Sequence, residues 1–163
     1  PSTEIPFAKD IDFATLDDGL TKPIYSSMTN SGDELRISAD QVISTEEKDT
    51  ALIKSAILRI FSESGSNLFL SSDTALLNKG KKSLIFSQNV ILKTADNMKI
   101  TTPKIFTALD QTLIKADGPV RGSFGNSDIE AGKLDIFREN KSSNLVISFT
   151  KGVKMVYDPS QSF

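Results

Sequence analysis

The side chains that could do chemistry are few, and their spacing works against it. Paired carboxylates occur at Asp17-Asp18, Asp33-Glu34 and Glu46-Glu47. Glycoside hydrolysis needs two carboxylates converging across one sugar. Sequence neighbours on a strand face opposite ways, and these pairs are flanked by turn residues, so they read as solvated turn charges. Asp10-Ile11-Asp12 and Asp17-Asp18-Gly19 loosely echo calcium loops, but the fixed ligand offsets and closing Glu are missing. Lys79-Gly80-Lys81-Lys82 could steer an anionic head group, yet its composition is that of a hairpin turn kept soluble. The stretch Gly118-Pro119-Val120-Arg121-Gly122-Ser123-Phe124-Gly125 lacks the Gly-Lys-Ser/Thr ending and following helix of a phosphate loop. It reads as an irregular strand with bulges. No catalytic residue, metal site or cofactor is expected.

Composition supports that reading. The 163 residues include no His, no Cys and no Trp. The commonest general base near neutral pH is therefore missing, and so are a thiolate nucleophile, disulfides and His/Cys zinc sites. Nineteen basic against 21 acidic residues give a formal charge of −2, without the basic excess of a nucleic-acid binder. The apolar run Ala56-Ile57-Leu58-Arg59-Ile60-Phe61 is interrupted by Arg59 and falls far short of the roughly 20 residues of a membrane-spanning helix.

The elements behind these residues are strands. Short runs rich in Ile, Val, Thr, Phe and Leu are separated by turns such as Asn78-Lys79-Gly80-Lys81 and Ala95-Asp96-Asn97. The best helical stretch, 46–61, alternates as well as it spirals. The runs also repeat. Ile37, Leu70, Ile100 and Ile129 occupy matching places at spacings of 33, 30 and 29 residues. Ile57, Val90, Val120 and Val153 are 33, 30 and 33 apart, and both Ile53-Phe86-Ala116-Phe149 and Ala51-Leu84-Ile114-Ile147 follow the same offsets. A period of about 30 residues predicts a stacked architecture.

Within each unit a breaker recurs at Asp40, Asp73, Pro103 and Gly132. Proline cannot donate to a ladder and glycine tolerates unusual angles, so these positions predict corners where the sheet folds over itself. The expected fold is all-β: a repeat-built, V-shaped antiparallel β-jelly roll of stacked short strands, open at both ends. Residues 1–23 form an irregular lead-in, 24–158 a single domain and 159–163 a tail.

Ladder parity places Ile37, Leu70, Phe86, Val90, Ile100, Ile105, Val120, Ile129, Leu134, Ile147, Phe149 and Val153 on the inner face, while Lys99, Lys104, Lys115, Asp128, Lys133 and Lys154 point to solvent. Most inner residues serve as core. If part of the interior is an open groove, an acyl chain there gains about 0.8 kcal/mol per methylene removed from water. Small residues at Ala75, Ala116 and Gly122 favour such space.

Several of these runs resemble the LptC-type lipopolysaccharide export proteins. The segment from Ile100-Thr101-Thr102 to Val120-Arg121-Gly122, then Phe124-Gly125, Ile129 to Leu134 and Phe149 to Met155, is similar to the C-terminal part of that family. Met28-Thr29-Asn30 to Ala39-Asp40 resembles its first repeat, and the resemblance covers roughly residues 24–158. It implies a periplasmic β-jelly roll without enzymatic activity. Such a protein accepts lipopolysaccharide from an inner-membrane ABC transporter complex and passes it through an apolar groove to an LptA-like bridge protein. It also implies an N-terminal inner-membrane helix, absent here and expected to lie upstream of Pro1. Assembly is by strand addition at exposed sheet edges. The expected edges are Ile24, Tyr25 and Met28, facing the transporter, and Val153, Met155 and Tyr157 in a last strand from 152 to 157, facing the bridge.

Other readings remain open on the residues alone. A soluble LptA-like bridge homologue shares the fold. A structural or adhesin β-repeat without lipid cargo predicts a filled interior. A polysaccharide-acting enzyme requires carboxylates converging in a cleft.

Overall fold

The computed structural model describes residues 25–138 and 144–159. The lead-in, Ile24 and residues 160–163 of the tail lie outside the described residues. Among the described residues thirteen strands form one antiparallel sheet: β1 (Tyr25–Met28), β2 (Glu34–Ser38), β3 (Gln41–Ser44), β4 (Thr50–Phe61), β5 (Leu68–Asn78), β6 (Ser83–Thr94), β7 (Lys99–Ala108), β8 (Leu113–Ala116), β9 (Val120–Phe124), β10 (Ser127–Ala131), β11 (Lys133–Phe137), β12 (Val146–Thr150) and β13 (Lys154–Tyr157). Of the ambiguous stretch at 46–61, residues 50–61 become β4, because Ala51, Ile53, Ala56, Leu58 and Ile60 are all buried with a two-residue alternation broken only once.

That single break shows how the sheet bends. In β4, Lys54 and Ser55 are both exposed, and Ser55 has a φ of 55°. The register shifts between Ser71 and Thr74 in β5 and between Ser87 and Val90 in β6, where Gln88 and Asn89 have φ of 71° and 55°. In β7 the alternation breaks at Pro103 and Lys104, which are both exposed. Each irregularity bends its strand, so the four long strands β4 to β7 fold into two half-sheets. The first runs β1-β2-β4-β5-β6-β7-β9-β10-β13, and the second runs β3-β4-β5-β6-β7-β8-β11-β12. They enclose one continuous apolar core. The expected corners at Asp40, Asp73, Pro103 and Gly132 fall between β2 and β3, within β5, within β7 and between β10 and β11. A second corner series at Ser55, Gln88, Gly118 and Lys151 keeps the same period and was not read from the sequence.

The ladders have a direct structural counterpart. In the first half-sheet Ile37, Leu58, Leu70, Leu92, Ile100, Gly122, Ile129 and Met155 are successive cross-strand partners. In the second, Ile53, Ala75, Phe86 and Ile105 form such a row, and Ala116, Leu134 and Phe149 continue it. Neighbouring strands are antiparallel, so the 30-residue repeat marks alternate rungs. One ladder needs correction. Ile57 does not share a row with Val90 and Val120. It pairs with Ser38 and Ser71 on the outer face, half-buried, because the left-handed turn at Ser55 shifts the parity and puts Ala56 inside.

Candidate functional site

Eight of the residues assigned to the inner face (Ile37, Leu70, Phe86, Val90, Ile100, Ile105, Val120 and Leu134) are at most 2% exposed. They pack against one another between the half-sheets. Ile129, Ile147 and Phe149 are half-buried. Val153 is exposed and precedes β13, because Gly152 (φ 75°) makes a turn where the last strand was expected to begin.

The inner face changes character at the end of the first half-sheet. Phe124 is cross-strand partner to Ser127, which pairs with Tyr157, and Ile129 pairs with Met155. These positions share the parity of the buried row ending Leu92, Ile100, Gly122. Yet Phe124 is 47% exposed, Met155 64% and Tyr157 56%. The apolar stripe that is core over β4 to β7 thus becomes an uncovered apolar face over β9, β10 and β13. Gly122 marks the transition. A Cβ there would lie 2.9 Å from Ile129 Cγ2 and 3.4 Å from Ile100 Cγ1, so the glycine lets two isoleucines close over its backbone.

Four strands are paired on one side only among the described residues. β1, which carries Tyr25 and Met28, pairs β2, and β13, which carries Met155 and Tyr157, pairs β10. β3, paired with β4, and β12, paired with β11, are two further edges beyond those expected. Unpaired N–H and C=O groups make each a place for a partner's strand.

One polar cluster departs from the sequence reading. Asp33 was expected to be a solvated turn charge with Glu34. Instead it is buried, and its Oδ2 accepts from Arg138 Nε at 2.9 Å and Thr112 Oγ1 at 2.6 Å. Thr29 Oγ1 accepts from the Asp33 N–H at 3.1 Å, and the Asn30 N–H donates to the Asp110 carbonyl at 2.8 Å. The β1–β2 turn is thereby fastened to the β7–β8 turn and the end of β11. The physical reason is that packing these turns together removes Asp33 from water, and a buried carboxylate needs a partner. Glu34 stays outside and receives two hydrogen bonds from Arg36 at 2.9 and 3.2 Å. That hydrogen bonding, then the Glu34 charge, holds the Arg36 guanidinium above its ordinary pKa. Glu46 and Glu47 are exposed before β4, and Lys79 to Lys82 form the β5–β6 turn. Asp10, Asp12, Asp17 and Asp18 lie outside the described residues.

Comparison with known proteins follows this geometry. A family model described as "Lipopolysaccharide-assembly, LptC-related" matches residues 21–158. No curated protein matches the chain. Among solved structures, the fold is similar to LptH of Pseudomonas aeruginosa, described as the LptA homologous periplasmic component of the lipopolysaccharide transport device. The TM-score is 0.53 at 12% sequence identity, covering 77% of this chain and 95% of that one.

Proposed function

Since the chain belongs to the LptC-related lipopolysaccharide-assembly family and is a non-enzymatic scaffold of periplasmic lipopolysaccharide transport, we propose that it works as a relay at the inner membrane. It accepts lipopolysaccharide from an ABC transporter complex and passes it to an LptA-like bridge protein. The observation that carries this is the half-exposed inner face of Phe124, Met155 and Tyr157, continuous in register with a closed core. Acyl chains laid there are removed from water without any need to break the core, at about 0.8 kcal/mol per methylene. Ile129 and Phe149 form the rim of this face. The eight fully buried inner residues reach lipid only where the half-sheets part.

The hand-over needs a docked partner, and β13 supplies an edge next to the lipid face. A bridge strand added to β13 extends the first half-sheet, so its own inner face continues the apolar stripe. β1, at the other end of the same half-sheet, is the edge for the transporter side.

Photo-crosslinking tests the reading. A probe at Met155, Tyr157 or Phe124 is expected to capture purified lipopolysaccharide, and a probe at the exposed Lys104 or Lys115 is not. Equal capture at both sets, or none in a folded protein, refutes the lipid face. For the docking step, Val153→Pro is expected to abolish pull-down of the bridge protein by disturbing entry into β13, and retained pull-down refutes that edge.

A further inference from the structure

The outer face of the first half-sheet carries a second feature that transport through the inner face does not use. One cross-strand row runs from Arg36 through Arg59, Phe69 and Lys93 to Lys99, each residue directly opposite the next. Arg36 thus faces Arg59, and Lys93 faces Lys99. Like charges directly opposite each other on a sheet destabilise it. Within the fold, Glu34 relieves Arg36 alone. Among the described residues no carboxylate lies within ion-pair distance of Arg59, Lys93 or Lys99. The repulsion is therefore left standing on a chain whose net charge is −2.

Aromatic rings hold these cations against the sheet. The Arg36 guanidinium lies 4.8 Å from the Phe61 ring centre, Arg59 lies 5.3 Å from Phe69, and the Lys93 ammonium lies 6.0 Å from the same ring. Half-buried Ile57 and Ile91 occupy the adjacent outer row. Five strands at about 4.8 Å spacing make the cationic row roughly 19 Å long. Apolar side chains border it.

We propose that this outer face docks on the surface of an anionic lipid bilayer. A row of this length spans several head groups, whereas one phosphate can meet only part of it. Phe61, Phe69, Ile57 and Ile91 suit the boundary between head groups and acyl chains, where cationic side chains extend toward phosphates. The acidic residues of the face stand toward the ends of the row, Glu34 beside Arg36, and Asp128 and Glu130 on β10, two strands beyond Lys99, so they do not neutralise its centre. The face is opposite to the lipid-carrying one, and the proposal stands without the transport reading.

The test is co-sedimentation of the 163-residue chain with vesicles of phosphatidylcholine alone or of phosphatidylcholine mixed with phosphatidylglycerol. The chain is expected to pellet with the anionic vesicles only, and to be released by high salt because surface charges are screened. Each surface cation contributes about fivefold in affinity, so the triple variant Arg59→Gln/Lys93→Gln/Lys99→Gln is expected to bind about a hundredfold more weakly. The control Lys79→Gln/Lys81→Gln/Lys82→Gln, which removes the same charge from the β5–β6 turn, is expected to bind as the unaltered chain does. If the triple variant does not fold by circular dichroism, the double variant Lys93→Gln/Lys99→Gln replaces it, with an expected loss of about 25-fold. Equal pelleting with neutral vesicles, which points to lipid uptake by the inner face, overturns the proposal. So do unchanged binding of the row variants, equal loss in the turn control, and failure to bind anionic vesicles at all.

Discussion

Asp33 and Arg138 are 105 residues apart in the chain, yet Arg138 Nε donates to Asp33 Oδ2 at 2.9 Å with both side chains about 5% exposed. The pair joins the beginning of the first half-sheet to the end of β11 in the second. Thr112 Oγ1 donates to the same oxygen, so the carboxylate is held by two partners from two different turns.

Removing one member of such a pair leaves the other charged and out of water, at a cost of about 3–5 kcal/mol. Asp33→Ala is therefore expected to lower the urea midpoint strongly. Replacing both partners by apolar residues, as in Asp33→Ala/Arg138→Met, is expected to restore most of the loss, since an unpaired charge no longer remains. An Asp33→Ala variant within about 1 kcal/mol of the unaltered chain contradicts the fastening role.

Core truncation separates the closed interior from its rim. Phe86 is fully buried, between Ala75 and Ile105 in its row. Phe86→Ala is expected to cost about 3–5 kcal/mol through lost burial and the cavity left behind. Phe149 ends the same row on β12 and is only half-buried, so Phe149→Ala is expected to cost clearly less. Denaturant unfolding of the two variants checks the order, and equal losses contradict the distinction.

The sequence made the repeat visible because cross-strand packing imposes it. Ile37, Leu70, Ile100 and Ile129 are alternate rungs of one ladder, each needing an apolar side chain on the same face. The corners at Pro103 and Gly132 were legible because those residue types carry backbone meaning by themselves. Ser55, Gln88 and Lys151 were not, because a left-handed φ at an ordinary residue leaves no compositional mark. The same omission misplaced Ile57. The exposure of Met155 and Tyr157 was also hidden, because their parity matches that of half-buried Ile129 and burial along a row is not written in parity. Pairing between Asp33 and Arg138 depends on turn packing that no local pattern encodes.

The Ser55 corner gives a test of backbone strain. A non-glycine residue in the left-handed region loses roughly 1–2 kcal/mol. Glycine removes that strain while losing some conformational entropy on folding, so Ser55→Gly is expected to be neutral to stabilising by up to about 1 kcal/mol. Ser55→Val adds a branched side chain where φ is positive and is expected to destabilise. Thermal unfolding of the pair decides it, and a Val variant as stable as the Gly variant shows that the left-handed turn is not needed to bend β4.

Gly122 links packing to the proposed lipid face. Its missing side chain lets Ile100 and Ile129 pack over β9, and a Cβ would approach Ile129 Cγ2 to 2.9 Å. Ile129 is branched at Cβ, so few rotamers let that methyl move away. The strand β10 must then shift, and β13, which pairs with β10 at Ile129–Met155, shifts with it. Gly122→Ala is expected to cost about 1–3 kcal/mol by overpacking. It is also expected to reduce lipopolysaccharide crosslinking at Met155 more than at Phe149, which sits on the other half-sheet. Shortening the neighbour in Gly122→Ala/Ile129→Ala is expected to recover part of both losses, giving a coupling of about 0.5–3 kcal/mol. If both losses persist unchanged in the double variant, contact with Ile129 is not what requires glycine here. If stability falls while crosslinking at Met155 does not, the lipid face does not depend on the register of β10 and β13.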